Sequence, residues 1–121
     1  MLEFTIMQPE GILVLKPQGR LSKADFEGLS ASVDSYLADH PKLHGVMVHA
    51  KEFPGWEGVG GFSAHLRFVG GHRKKVERIA IVTDSPAAEF AESLGRHLTG
   101  AEVMHFPYPD DEKALAWLEA G

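Results

Sequence analysis

Seven histidines and no cysteine set the chemistry open to this chain. Without thiols there can be no disulfide, thiolate zinc site, iron–sulfur cluster or cysteine nucleophile. A metal would have to be held by imidazole and carboxylate, and the spacing opposes that. His65 and His72 share one side of an expected helix, but seven residues carry them about 10 Å apart, too far for one ion bonded at about 2 Å. His44 and His49 lie five apart on an expected strand and point to opposite faces. No His-x-x-x-His or Glu-x-x-His pair falls within an expected helix. No metal or other cofactor is expected.

The search for a nucleophile ends the same way. Gly-x-Ser-x-Gly is absent, and so is a glycine-rich loop closing on Gly-Lys-Ser or Gly-Lys-Thr. Gly58-Val59-Gly60-Gly61 opens a helix whose amides could receive an anion, but Glu57 opposes one, and a tight loop-to-helix turn explains the glycines. The remaining candidates follow the strands, because open α/β sheets bind ligands beyond the carboxyl ends of their strands. They are His49, the loop Phe53-Pro54-Gly55-Trp56-Glu57, Asp84 and Tyr108 after Pro107. Phe53, Trp56 and Tyr108 can wall an apolar pocket, with His49, Glu57 and Asp84 as polar contacts. His49 or Asp84 as a base would make a small hydrolase-like enzyme, but nothing in the sequence positions a nucleophile or electrophile beside them.

Periodicity supplies the elements that must position these residues. Leu2, Phe4 and Ile6 alternate with polar neighbours, Gln8-Pro9-Glu10-Gly11 is a turn, and Ile12 to Leu15 is apolar on both sides. This predicts a hairpin at one edge of a sheet. Ser22 and Asp25 form a capping box, Leu21 and Phe26 staple across it, and Leu29, Val33 and Leu37 continue the buried face until His40-Pro41. Gly45–His49 reads as a buried strand and Ala50–Gly58 as a loop. Val59, Phe62, Leu66 and Val69 then recur on one helical face before Gly70-Gly71.

Arg78–Thr83 is a further buried strand. Asp84-Ser85-Pro86 opens a helix whose buried stripe is Ala87, Phe90, Ala91, Leu94 and Leu98, closed by Gly100. Glu102–Phe106 is the last strand. Pro109-Asp110-Asp111-Glu112 starts a final helix burying Leu115 and Leu118, with Trp117 beside them. The order β-β-α-β-α-β-α-β-α predicts an α/β fold: a mostly parallel five-stranded sheet, antiparallel only at its first strand, with helices packed on it. Residues 1–121 are read as one domain. Phe68 projects about 180° from the Val59, Phe62, Leu66 stripe and is expected to be exposed, a candidate interface residue.

Composition narrows the partners. The net charge is -5, with 17 acidic and 12 basic side chains, so nucleic-acid phosphates would be repelled. The one basic cluster, His72-Arg73-Lys74-Lys75, sits where a helix should end and complements its dipole. No apolar run approaches the roughly 20 residues that span a bilayer, and no basic segment followed by an apolar stretch opens the chain, so stable membrane insertion is not expected and a cytoplasmic location is.

The opening hairpin, Gly55-Trp56-Glu57 after the third strand, Arg78-Ile79-Ala80-Ile81-Val82-Thr83-Asp84 and the closing Ala114-Leu115-Ala116-Trp117-Leu118 together resemble a STAS domain (sulfate transporter and anti-sigma-factor antagonist). The resemblance is to the bacterial SpoIIAA-like family, grouped with CRAL-TRIO-like lipid-binding folds, and covers nearly the whole chain. It implies a non-enzymatic binding or regulatory module. Anti-sigma-factor antagonists carry a phosphorylated serine in an Asp-Ser-Ser-type segment opening the helix after the third strand. Here that stretch reads Pro54-Gly55-Trp56-Glu57-Gly58, with no hydroxyl, and Ser63 lies one turn inside the helix. The phosphorylation switch is therefore not expected, and the aromatic loop without a catalytic set makes a small apolar molecule or lipid acyl chain near residues 53–57 the expected ligand. The alternative is a protein partner, including a second copy in a homodimer.

Overall fold

The computed structural model describes residues 1–121. Its first two strands, β1 (Leu2–Met7) and β2 (Ile12–Pro17), pair antiparallel with Phe4 opposite Leu15. Helix α1 (Lys23–Leu37) starts at the anticipated box: Ser22 Oγ accepts the Asp25 N–H at 3.1 Å, and Asp25 Oδ2 accepts the Ser22 N–H at 2.9 Å. Two orphan donors of the first turn are thereby satisfied. Then follow β3 (Leu43–His49), α2 (Gly58–His72), β4 (Val76–Val82), α3 (Ala88–Thr99), β5 (Glu102–Phe106), a 3-10 turn (Tyr108–Asp110) and α4 (Asp111–Glu119).

The five strands stand in the order β1-β2-β3-β4-β5, and β2 through β5 run parallel. Every parallel step moves the same way across the sheet, so right-handed crossovers place α1, α2 and α3 on one face. Under α1 the core is Leu13, Leu21, Phe26, Leu29, Val33 and Val46. On the opposite face Ile12, Met47, Ala80 and Val82 pack with Ala114 and Leu118 of α4. Strand β2, apolar on both sides, is buried between these layers, as its composition requires.

Two helices turn the opposite way from their apolar periodicity. The expected inward stripe of α2 faces out: Val59 is 80% exposed, Leu66 52% and Phe62 43%. Gly61 and Ala64 are buried instead, and Phe68, expected outside, is half-buried against Phe26, ring centroids 6.4 Å apart. The cause is close approach. A Cβ on Gly61 would collide with the Leu21 carbonyl oxygen, which accepts the Glu57 N–H at 2.8 Å. Only the small-residue side of α2 can sit that near a backbone.

Helix α3 repeats the pattern. Ala88 is buried and Gly95 lies over Val103, whose Cγ2 a Gly95 Cβ would meet at 3.5 Å. Phe90, Leu94 and Leu98, expected inside, remain 71%, 44% and 42% exposed. The helix also opens later than expected, at Ala88, because Asp84-Ser85-Pro86 forms a preceding turn in which Ser85 Oγ accepts the Ala87 N–H at 3.3 Å. Smaller differences are that β3 begins at Leu43 and β4 at Val76, and that α2 runs through Gly70-Gly71 to His72. No helix is long and apolar enough to cross a membrane.

Candidate functional site

The residues beyond the carboxyl ends of the strands form two clusters rather than one pocket. The first is polar. His49 ends β3, its ring stacks on Tyr108 with centroids 4.5 Å apart, and its Nε2 lies 3.0 Å from the Tyr108 carbonyl oxygen. A carbonyl only accepts, so Nε2 carries the hydrogen and Nδ1 is the basic nitrogen. Asp84 Oδ1 accepts the Tyr108 N–H at 3.0 Å. His49 and Asp84 thus grip the two sides of one peptide segment, which ties the ends of β3 and β4 to the turn after β5.

Beside this cluster lies an open depression of about 360 Å³ lined by Lys16, Gln18, His49, Lys51, Glu52 and Tyr108, among others. Its lining is mostly polar. Phe53, Trp56, Glu57 and Asp84 are not part of it, so the apolar pocket expected from all six candidates does not form as a single cavity.

The second cluster is aromatic. Residues 55–57 are pinned to the chain before α1: Leu21 donates to the Gly55 carbonyl at 3.0 Å, Glu57 donates to the Leu21 carbonyl, and Leu21 and Trp56 form a parallel bridge. This anchor holds the Trp56 indole between Phe53 and Phe62, edge-on to both at 4.9 and 4.8 Å. Trp56 Nε1 donates to His65 Nδ1 at 2.9 Å, and His65 stacks on Phe26 at 4.8 Å. Burial pushes the His65 imidazole below the usual histidine range. Glu57 precedes α2 with its side chain exposed and making no capping bond.

His65 and Phe62 were not singled out as site residues by the sequence. A signal existed: Gly61, Ala64, His65, Phe68 and His72 recur at helical spacing, but small and polar residues do not advertise a buried face. His72 is used structurally, its Nδ1 on the Phe68 carbonyl and its Nε2 2.7 Å from Asp34 Oδ1 of α1. No group of three or more histidine, aspartate or glutamate side chains is placed to hold a metal ion.

The third feature is the surface between α2 and α3. Helix α2 packs on α1 and α3 on β5 and β4, while the two helices barely meet. The strip of sheet on this face carries Val48, Ile79 and Ile81, all only half-buried. Phe62 and Leu66 on one helix and Phe90 and Leu94 on the other are exposed to solvent.

The arrangement of strands and helices is that of a known family, whose SpoIIAA-like model matches residues 12–119. The chain belongs to the SpoIIAA-like family. A solved structure with a SpoIIAA-like fold, an uncharacterized protein of the DUF3478 family from Shewanella loihica PV-4, superposes with a TM-score of 0.77 at 23% identity. The alignment covers 98% of this chain and 92% of that one. At that identity the likeness establishes the shared fold. No match was found among curated proteins. Within the SpoIIAA-like fold, the stretch opening α2 here presents Trp56 and glycines, and Ser63 lies half-buried within the helix.

Proposed function

We propose that this SpoIIAA-like chain is a non-enzymatic binding or regulatory module that takes a small apolar molecule or an acyl chain between α2 and α3. The outward turn of the two apolar stripes carries this reading. Covering such surface is worth about 25 cal/mol per Å², so a ligand that bridges the gap gains from both helices and from Val48, Ile79 and Ile81 beneath. Phe53 and Trp56 close one end of the strip through Phe62. His49 and Tyr108, with Lys51, offer a polar rim for a head group, and Asp84 is tied to it through the Tyr108 N–H, while Glu57 stands exposed before α2. That His49 and Asp84 are engaged with the Tyr108 backbone supports a positioning role over a catalytic one. Phe68 has no part in this surface, since it packs toward α1.

Native and denaturing mass spectra of the purified chain test the proposal. The expected result is an adduct of lipid or cofactor-like mass that is lost on denaturation and is weakened in Trp56→Ala. An unadorned native mass, with no uptake of added fatty acid, overturns it. The length of the α3 stripe, Phe90 to Leu98, about 12 Å along the helix, favours a second reading in which a protein partner or second copy covers the same face. A dimer mass in the native spectrum would mark that case.

A further inference from the structure

The bond between Trp56 and His65 admits only one protonation state. An indole N–H can donate and never accept, so the His65 Nδ1 that receives it at 2.9 Å must carry a lone pair. Imidazolium has hydrogens on both nitrogens and would set N–H against N–H. It would also take a cation out of water at a position where burial already disfavours charge. The charged groups of the surrounding elements do not compensate. Asp25 of α1 is engaged with Ser22 and Asp34 with His72, while Lys23 and Glu27 of α1, Glu57 of the loop and Arg67 of α2 face solvent, and none bonds to His65.

Accepting the apolar-ligand reading above, we propose that protonation of His65 releases the Trp56 indole and dismantles the Phe53–Trp56–Phe62 wall, so that the chain holds its ligand at neutral pH and lets it go in acid. The backbone of residues 55–57 stays bridged to Leu21, and the side chain alone is freed. Burial lowers the affinity of the His65 imidazole for a proton, in the same direction as the Trp56 bond, which sets the transition below the ordinary histidine value of 6.5. Neutral conditions therefore leave the wall intact.

The test follows two signals across a titration of the full chain from about pH 7.5 to pH 5, a range that spans ordinary histidine ionisation. The first is the Trp56 indole N–H resonance, assigned by its loss in Trp56→Phe. The second is the affinity of Nile red, an uncharged apolar probe whose own ionisation does not interfere. In the native chain the indole resonance should shift with the His65 ring, and Nile red affinity should fall about fivefold to tenfold, the worth of one hydrogen bond. His65→Gln supplies an acceptor that does not titrate, and should leave both signals flat. Trp56→Phe, if His65→Gln fails to fold, should bind Nile red with no acid transition. An indole resonance indifferent to His65 protonation overturns the switch. A resonance that titrates while Nile red never binds overturns the apolar-ligand reading and leaves the hydrogen-bond switch standing.

Discussion

Helices α1 and α2 lie side by side on one face of the sheet and solve opposite packing problems. In α1 the large apolar residues Phe26, Leu29 and Val33 point inward and are 4% exposed or less. In α2 Gly61 and Ala64 point inward and Val59, Phe62 and Leu66 point out. Helix α3 follows α2. The hydrophobic effect decides orientation where a helix has room over the sheet; where a backbone lies as close as the Leu21 carbonyl lies to Gly61, only the small-residue side fits and the large side chains stay outside. Both inverted helices are left with large apolar side chains in solvent, and the proposed function lies there.

Substitutions can break this contrast. Leu29→Ala in α1 should cost about 3 to 5 kcal/mol in chemical denaturation, the range for emptying a fully buried leucine site. Gly61→Ala should cost about 1 to 3 kcal/mol by overpacking against Leu21, although a glycine in a helix interior ordinarily gains stability on becoming alanine. Gly70→Ala, where an added Cβ meets nothing within 4 Å, should show that ordinary gain of about 0.5 to 1 kcal/mol. If both glycine variants were stabilising, close approach could not be the reason for the inversion of α2. Phe90→Ser should leave stability within about 0.5 kcal/mol, as for other exposed positions, while weakening Nile red binding.

Acid sharpens the same comparison. The folded-state pKa of His65 is lowered, so between it and the unfolded value of 6.5 the unfolded chain binds the extra proton. The stabilising contribution is complete above that window and lost as pH falls through it. Denaturation midpoints of the native chain and His65→Gln should therefore converge or cross on acidification, and parallel curves would remove His65 from the account.

Much of the architecture was legible from local patterns. The hairpin, the capping box at Ser22, the strands and their order along the chain, and the resemblance to SpoIIAA-like domains all follow from short-range periodicity and turn chemistry. Element ends moved by a few residues where a turn intervened, as at Ser85-Pro86. The orientation of α2 and α3 was read the wrong way round because the apolar period was strong and the small-residue period was silent. Phe68 was misplaced with it. Of the candidate site residues, His49, Asp84 and Tyr108 meet in space and Phe53 meets Trp56, but the spacing of His65 speaks only to metal binding and not to its bond with Trp56.

The sequence by itself determined which elements form, how many there are and what chemistry is missing, since propensity, capping and composition act over a few residues. The tertiary structure alone decided which side of α2 and α3 faces the sheet, and that the indole of Trp56 finds the lone pair of His65. The side of α2 that faces in, and with it the bond at His65, depends on the close approach of Gly61 to the Leu21 carbonyl, forty residues away in the chain, and no local pattern carries the position of a backbone so remote in sequence.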